Sequence, residues 1–236
     1  MDQEHLQRQW TISASDACCL RPNDKVQRAG REDLEDRETI DPGSAGTACY
    51  AAFRCIIADP PWKIDLNRKT THRRSGQKNG REWAHKVVAQ LDYPVMTDDE
   101  IAALRPPIAD EAHLYLWTVN AKLEAAYRVA REWGFKPSTL LTWAKTPMGI
   151  GLGGTFCNTT EFCLFARRGV LPAKSRVNTT WWHWKRGKHS VKPVEFHEIV
   201  ESVSPGPYLE MFARQKRIGW AAWGNEIASD VQIESA

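Results

Sequence analysis

Short, largely apolar runs alternate with helix-forming segments along most of this 236-residue chain, and that alternation restricts the fold more than any other feature. Phe53–Ala58 has the length and composition of a strand buried on both faces. Further strands are predicted at 112–118, 138–144, 160–167, 207–212 and 219–223. The pattern predicts an α/β protein whose mostly parallel sheet carries helices on both faces. Ligands of such sheets bind beyond the carboxyl ends of the strands.

Helix boundaries are marked by capping residues. Thr97 and Glu100 have capping-box spacing, which predicts a helix that runs through Leu104 and stops before Pro106. Asn120 is predicted to cap an amphipathic helix that ends at Gly134. A third helix is predicted from about 193 to 203, after an irregular tryptophan-rich stretch. The loop that contains glycines between 149 and 154 is predicted to be mobile.

The chain divides into three segments. Residues 1–46 contain ten acidic and six basic side chains and no sustained apolar period, so we expect a flexible polar extension. Residues 47–227 form the main domain, since a chain of this length can bury one substantial core. Residues 228–236 are predicted to be a short, loose tail.

Charge and cysteine content restrict the partners. The net charge is +3 although the extension is acidic, so the body is basic and compatible with a polyanionic partner. The six cysteines lack the Cys-x-x-Cys spacing of a zinc site, and we expect no metal. The sequence shows no signal peptide and no apolar run of membrane-spanning length, so reduced thiols and a cytoplasmic location are expected.

The tetrapeptide Asp59-Pro60-Pro61-Trp62 directly follows the first predicted strand. Two prolines fix the backbone at low entropic cost, so the Asp59 carboxylate and the Pro60 carbonyl are preorganised hydrogen-bond acceptors. Paired acceptors suit an exocyclic amine such as that of adenine, whose nitrogen lone pair is delocalised into the ring. Trp62 offers a face on which a flipped base can stack. The alternative is an ordinary turn, because aspartate and proline are common turn residues.

On these residues the chain resembles the MT-A-type adenine-N6 methyltransferases, which share this DPPW loop ahead of their cofactor-binding segment. The family includes the catalytic subunit of the eukaryotic mRNA methyltransferase and many bacterial and phage DNA enzymes. The resemblance spans about residues 53–227 and continues through the segments 93–100, 114–117, 142–145, 189–193, 204–214 and 219–226. It implies a Rossmann-like fold, S-adenosylmethionine as cofactor, and methyl transfer to the N6 amine of adenine in nucleic acid.

The predicted cofactor site lies mostly in the last third of the chain. Lys192 can pair with the cofactor's carboxylate, and the resemblance places a cofactor contact there. The resemblance also assigns a residue pair to the cofactor's ribose, and an acidic residue upstream of the first strand to its adenine. Strand alternation puts Glu210 and Phe212 on one side. No Gly-x-Gly-x-x-Gly fingerprint is present, which disfavours a nicotinamide enzyme. The predicted cofactor residues are Asp41, Asp59, Lys192, Glu210, Phe212, Arg214, Asn225 and Glu226.

Two basic stretches are candidates for the nucleic-acid surface. Residues 63–87 carry eight basic and two acidic side chains, and residues 181–189 interleave cations with tryptophans. Cations meet phosphates and aromatic rings stack on bases, although a solvated charged loop is the plain alternative for 63–87. Relatives carry a basic residue before Asn158 that is missing here, which leaves substrate positioning open. The predicted substrate residues are Trp62, Arg68, Lys69, Arg73, Arg74, Asn158, Trp181, Trp182, Lys185 and Arg186.

Other functions remain open at this point. Cytosine-N4 methylation presents the same chemical problem as adenine-N6 methylation. A catalytically silent nucleic-acid-binding subunit is a second alternative, because family members pair an active chain with an inactive one. A homodimer or a related methyltransferase subunit is therefore a candidate partner. We expect DNA rather than RNA as substrate, because the compact chain resembles the bacterial and phage branch.

Overall fold

A computed structural model describes residues 52–64, 94–146, 156, 158–185, 187 and 191–236. The strands in these residues are β1 (Phe53–Ala58), β2 (Leu104–Arg105), β3 (Ile108–Thr118), β4 (Lys136–Thr146), β5 (Thr160–Arg168), β6 (Trp181–Lys185), β7 (Tyr208–Met211), β8 (Trp220–Trp223) and β9 (Glu234–Ser235). The α-helices are α1 (Asp98–Ala103), α2 (Leu123–Glu132) and α3 (Glu195–Val203). The predicted extension over 1–46 and the glycine-containing loop 149–154 lie outside the described residues.

Seven strands form one sheet in the order β6-β4-β5-β3-β1-β7-β8. Every neighbouring pair is parallel except the two that involve β5, which is antiparallel to both β3 and β4. The predicted α/β architecture with a mostly parallel sheet is confirmed. Because β5 is reversed, its first residues lie at the edge where the other strands have their carboxyl ends.

Alternation along the strands divides the core between the two faces of the sheet. On one face, Ile56 and Leu114 pack with residues of α1 and α2, including Ile101 and Val129. On the opposite face, the aromatic and apolar side chains pack against α3. The members of this second cluster are Cys55, Ile57, Tyr115, Trp117, Trp143, Cys163, Phe165, Phe196, Val200 and Trp220. The predicted placement of helices on both faces is therefore confirmed.

The helix starts were predicted with mixed success. The capping box is present, since the Thr97 hydroxyl accepts from the Glu100 amide at 3.2 Å and the Glu100 carboxylate accepts from the Thr97 amide at 2.7 Å. The Asn120 cap is wrong, because Asn120 lies within a 3₁₀ turn that precedes α2 and the cap residue of that turn is Val119. Gly134 has the expected left-handed backbone, with φ of 81°.

Strand β6 corrects the prediction of an irregular tryptophan-rich stretch. Trp181–Lys185 pairs in parallel with the end of β4 and forms one edge of the sheet. Trp182 and Trp184 share one face and stack at 5.2 Å between ring centroids, and the Trp143 indole donates to the Trp184 carbonyl at 3.0 Å. The prediction failed because both faces of the strand carry aromatic rings, which hides the usual apolar–polar alternation.

The prediction of a loose tail over 228–236 is also wrong. Val231 and Ile233 are buried in the same core cluster as Ile101 of α1, and β9 pairs antiparallel with β2. The Asp230 carboxylate accepts the Ala222 amide at 3.0 Å, which joins this segment to β8. Two apolar side chains in a short polar segment gave too weak a pattern to predict this docking from the sequence.

Truncating a buried side chain in this terminal segment is expected to destabilise the whole domain. Ile233 is 3% exposed, so Ile233→Ala should lower the free energy of unfolding by about 2–5 kcal/mol through lost burial and a residual cavity. Urea denaturation followed by tryptophan fluorescence measures the change. The matched control is Ile218→Ala, because Ile218 is fully exposed and its truncation should change stability very little. Equal effects of the two substitutions would contradict the docking of the tail.

No helix within the described residues combines the length and the apolar character needed to span a bilayer.

Candidate active site

The loop that follows β1 is held by backbone hydrogen bonds on both sides. The Asp59 amide donates to the Met211 carbonyl of β7 at 3.4 Å, and the Met96 amide donates to the Pro61 carbonyl at 2.9 Å. The Pro60 carbonyl accepts the Trp62 amide at 2.8 Å, which closes a tight turn. One lone pair of that carbonyl is thus used within the loop, and a carbonyl oxygen has a second lone pair for another donor.

Trp62 corrects the expectation of an open stacking face. Its side chain packs into the core and only 5% of the residue is exposed. Its indole N–H donates to the Trp117 carbonyl at 3.0 Å, which fastens the loop to the end of β3. A ring buried on this scale cannot stack on a base without moving, so in this conformation Trp62 anchors the loop that follows β1.

A cleft opens at the carboxyl edge of the sheet, beside the first strand. This is where strand order reverses, since β3 and β7 flank β1 on opposite sides. Seven separate segments of the chain contribute to its wall. The lining residues are Asp59, Pro60, Pro61, Trp62, Ile64, Pro94, Thr118, Val119, Glu161, Lys192, Phe212, Arg214, Asn225 and Glu226.

Four ionisable side chains of alternating sign form a chain at this cleft. Lys192 donates to the Asp59 carboxylate at 2.6 Å and lies 3.5 Å from the Glu161 carboxylate. The other oxygen of Glu161 pairs with Lys145. Asp59 keeps about a third of its side chain exposed, whereas the two neighbouring partners Lys192 and Glu161 are each 17% exposed. The group is neutral in total, and Asp59 is its solvent-facing end.

The pKa values in this cluster reflect competition between burial and charge. Burial raises the pKa of Asp59 above its ordinary value, and the attraction of Lys192 offsets only part of that. Burial opposes ionisation of Glu161 too, but the ammonium groups of Lys192 and Lys145 outweigh it and lower the pKa of Glu161. Burial disfavours the charged form of Lys192, yet Asp59 and Glu161 raise its pKa, so the ammonium persists.

Glu161 was not predicted from the sequence. It is the second residue of β5, and the site of an α/β protein is expected at the carboxyl ends of strands rather than at their first residues. The reversal of β5 brings it to the same edge as Asp59 and Lys192. The sequence did show an acidic residue at the start of a predicted buried strand. That residue could be assigned to the site only if the strand was known to run antiparallel to its neighbours.

The structure brings most of the predicted cofactor residues together, with Glu210 as the exception. Lys192, Phe212 and Arg214 line the cleft, as do Asn225 and Glu226 beyond β8. Glu210 is not among the residues that line the cleft, and its carboxylate pairs with His197 of α3 at 3.1 Å. Alternation failed because Phe212 has a φ of 63°, and its side chain packs in the core cluster that contains Ile56 and Leu114 rather than alongside Glu210.

The predicted substrate residues are scattered where they are described. Trp181 is 57% exposed and Lys185 is exposed on the same face of β6, while Trp182 lies on the opposite face. Asn158 is exposed just before β5. Several predicted site residues lie outside the described residues, namely Asp41, Arg68, Lys69, Arg73, Arg74 and Arg186. Across the described segments, no group of histidine, cysteine or acidic side chains could hold a metal ion.

Comparison with known proteins decides the family. The sequence profile of MT-A70 matches residues 53–226, which is most of the chain and contains every cleft residue. The chain belongs to the MT-A70 family. This MT-A70 chain is 30% identical over 192 residues to the type II methyltransferase M.MunI of a Mycoplasma species, covering 77% of this chain and 80% of that protein.

Eukaryotic relatives are matched over a smaller share of their length. A putative N(6)-adenosine-methyltransferase MT-A70-like protein of Medicago truncatula is 26% identical over 186 residues, covering 75% of this chain and 26% of that one. The N(6)-adenosine-methyltransferase catalytic subunit METTL3 of Homo sapiens is 25% identical over 197 residues, covering 74% of this chain and 28% of that one. The chain therefore spans about a quarter of these two proteins and most of the Mycoplasma one.

Proposed function

We propose that this MT-A70 methyltransferase transfers a methyl group from S-adenosylmethionine to the N6 amine of adenine in a nucleic acid, with DNA as the preferred substrate. The observation that carries the proposal is the position of the Asp59 carboxylate. It lies on a rigid loop at a cleft whose other walls supply Lys192, Asn225 and Glu226. Family membership supports methyl transfer, and the plant and human relatives are named as N(6)-adenosine-methyltransferases, which supports adenosine N6 as the acceptor.

The chemistry of the acceptor explains why the loop needs this composition. The amine of adenine is planar and a weak nucleophile. The Asp59 carboxylate and the free lone pair of the Pro60 carbonyl can each accept one amine N–H, which favours a tetrahedral nitrogen whose lone pair points away from the loop. Proline at 60 and 61 keeps these acceptors fixed, so no reorganisation is needed during the reaction. Asp59 must be ionised to accept the amine N–H, so protonation of Asp59 is expected to set the lower pH limit of activity.

The cleft fits the proposed cofactor in charge and in polarity, because Lys192, Arg214, Asn225 and Glu226 all line it. When bound, S-adenosylmethionine supplies an electrophilic methyl group on a sulfonium. Lys192 carries the charge that a carboxylate requires, and an ammonium has three N–H donors, so it can hold that carboxylate and Asp59 together. Asn225 and Glu226 offer an amide and a carboxylate to a ribose diol, with Arg214 beside them.

The proposed preference for DNA rests on the similarity to the Mycoplasma type II methyltransferase. Most of the Mycoplasma type II methyltransferase is matched, whereas the matched part of the plant and human N(6)-adenosine-methyltransferases is about a quarter. The experiment is transfer of a radiolabelled methyl group to DNA amplified from unmodified nucleotides and to RNA transcribed from the same template. We expect label in the DNA. Label in the RNA alone would overturn the preference, and label in neither would overturn the proposed function.

The basic segment 63–87 is proposed as the phosphate-binding surface. Neutralising its four cations together, as Arg68→Gln, Lys69→Gln, Arg73→Gln and Arg74→Gln, should weaken DNA binding regardless of sequence. Each lost phosphate contact should flatten the slope of log affinity against log salt by about 0.7–0.9. Fluorescence anisotropy of one labelled oligonucleotide at several salt concentrations measures the slope. The control is the cofactor affinity measured by calorimetry, which should not change. An unaltered salt slope would show that the segment is a solvated loop without phosphate contacts.

A further inference from the structure

The lysine at the far end of the charge chain is not explained by the methyl-transfer chemistry. Lys145 lies near the carboxyl end of β4 and is not among the residues that line the cleft. Its ammonium pairs with Glu161 and lies 5.3 Å from the centroid of the Trp143 ring. Its backbone N–H donates to the Thr159 carbonyl at 3.0 Å, which fixes it against the start of β5. Both partners of the pair are mostly buried, at 19% and 17% side-chain exposure.

We propose that Lys145 is a positioning residue of this site: by holding Glu161, it leaves the ammonium of Lys192 bound to Asp59. This inference rests on the proposed function, because it concerns how the acceptor Asp59 is kept in its ionised form. Lys145 acts only through Glu161 and touches neither the cleft nor Asp59.

The distances show an unequal sharing of the central ammonium. Lys192 is 2.6 Å from Asp59 but 3.5 Å from Glu161, although both carboxylates are within reach. The other oxygen of Glu161 already pairs with Lys145, and this contact stabilises the ionised Glu161 carboxylate without a close contact to Lys192. Without Lys145, two carboxylates would compete for one ammonium in a poorly solvated site, and the more buried Glu161 would gain the closer contact.

The consequence for Asp59 has a definite sign. Burial raises the pKa of Asp59 most of all, Lys192 lowers it, Glu161 raises it, and Arg214 lowers it by the smallest amount. When Lys192 moves towards Glu161, Asp59 loses stabilisation of its charged form and its pKa rises further. The acid limb of the activity profile, which follows ionisation of Asp59, then moves to higher pH. A Lys145 that served only to join β4 to β5 would change stability and leave this limb in place.

The test compares Lys145→Met with three other variants over a full pH profile of kcat/KM for adenine methylation. Methionine keeps the apolar stem over Trp143 and removes the charge. We expect the acid limb to move to higher pH, with kcat/KM at the foot of the limb falling roughly tenfold. Lys145→Arg should return the limb towards its wild-type position. Lys136→Met is the matched control, because Lys136 begins the same strand at the opposite edge and is exposed.

A double-mutant cycle with Glu161→Gln establishes the route. Glu161→Gln should move the acid limb to lower pH, since Glu161 raises the pKa of Asp59. Adding Lys145→Met to Glu161→Gln should then have no further effect, because the group through which Lys145 acts is gone. An effect of Lys145→Met that persists undiminished in this background would overturn the inference. So would a Lys145→Met profile that coincides with that of Lys136→Met.

A measurement without turnover separates this inference from the proposed function. The carbon-13 shift of the Asp59 carboxyl group, assigned by its loss in Asp59→Asn, can be followed against pH in the full-length protein. We expect its titration midpoint to rise in Lys145→Met and not in Lys136→Met. If the wild-type chain methylates no adenine, the proposed function fails while this titration still decides the role of Lys145. Unchanged midpoints would overturn the role even in an active enzyme.

Discussion

Asp59→Asn is expected to lower kcat by about a hundredfold to a thousandfold, which is the usual cost of removing one preorganised acceptor or donor from a reacting centre. Asparagine keeps the size of the side chain but loses the charge, and its amide can present an N–H to the adenine amine. The fold should persist, because Lys192 keeps Glu161 as a partner. Single-turnover methylation with a saturating adenine-containing oligonucleotide measures the effect.

Two controls accompany this substitution. Thermal unfolding should be close to that of the wild type, and Lys136→Met should retain full activity because Lys136 lies at the opposite edge of the sheet. Near-wild-type turnover of Asp59→Asn in a folded protein would show that another group accepts from the amine.

Lys192→Met is expected to impair both cofactor binding and the pH range of activity. Loss of a charged contact should weaken S-adenosylmethionine binding by about 1–3 kcal/mol, measured by calorimetry. The substitution also leaves Asp59 and Glu161 together without their shared cation. Because Lys192 lowers the pKa of Asp59, its removal should raise that pKa and move the acid limb of kcat/KM to higher pH.

Asn225→Ala separates the two effects of Lys192. Asn225 lines the cleft beyond β8, and because its side chain is uncharged it does not shift the pKa of Asp59. We expect its removal to weaken cofactor binding and to leave the acid limb unchanged. Unchanged cofactor affinity in both variants would mean that the cofactor is held elsewhere.

Local patterns predicted most of the elements that build the sheet. Phe53–Ala58 was predicted with its observed bounds, because a strand covered on both faces is apolar on both. The capping box of α1 was predicted because its two hydrogen bonds join residues three apart. The elements that were missed depend on distant partners. β6 is stabilised by pairing with β4, and β9 by pairing with β2.

The residues of the candidate site also fall into those predicted from local patterns and those that depend on distant parts of the chain. Asp59 and Lys192 carry signals in their own motifs, and the structure places their side chains in contact. Glu161 has no local signal, because its role depends on the direction of β5. Glu210 was misplaced because the left-handed backbone at Phe212 interrupts the alternation that a strand would continue. The spacing of two residues along a strand predicts which face of the sheet their side chains share only where the strand backbone remains regular.

The most direct measurement is mass spectrometry of the nucleosides released from DNA after incubation with the wild-type chain and isotopically labelled S-adenosylmethionine. The arrangement of Asp59 and Pro60 beside a cleft that contains Lys192 predicts labelled N6-methyldeoxyadenosine, and Asp59→Asn should form it about a hundredfold to a thousandfold more slowly. Labelled N4-methyldeoxycytidine in its place would contradict the assignment of adenine. A wild-type product that persists unchanged in Asp59→Asn would contradict the central role of the loop after β1.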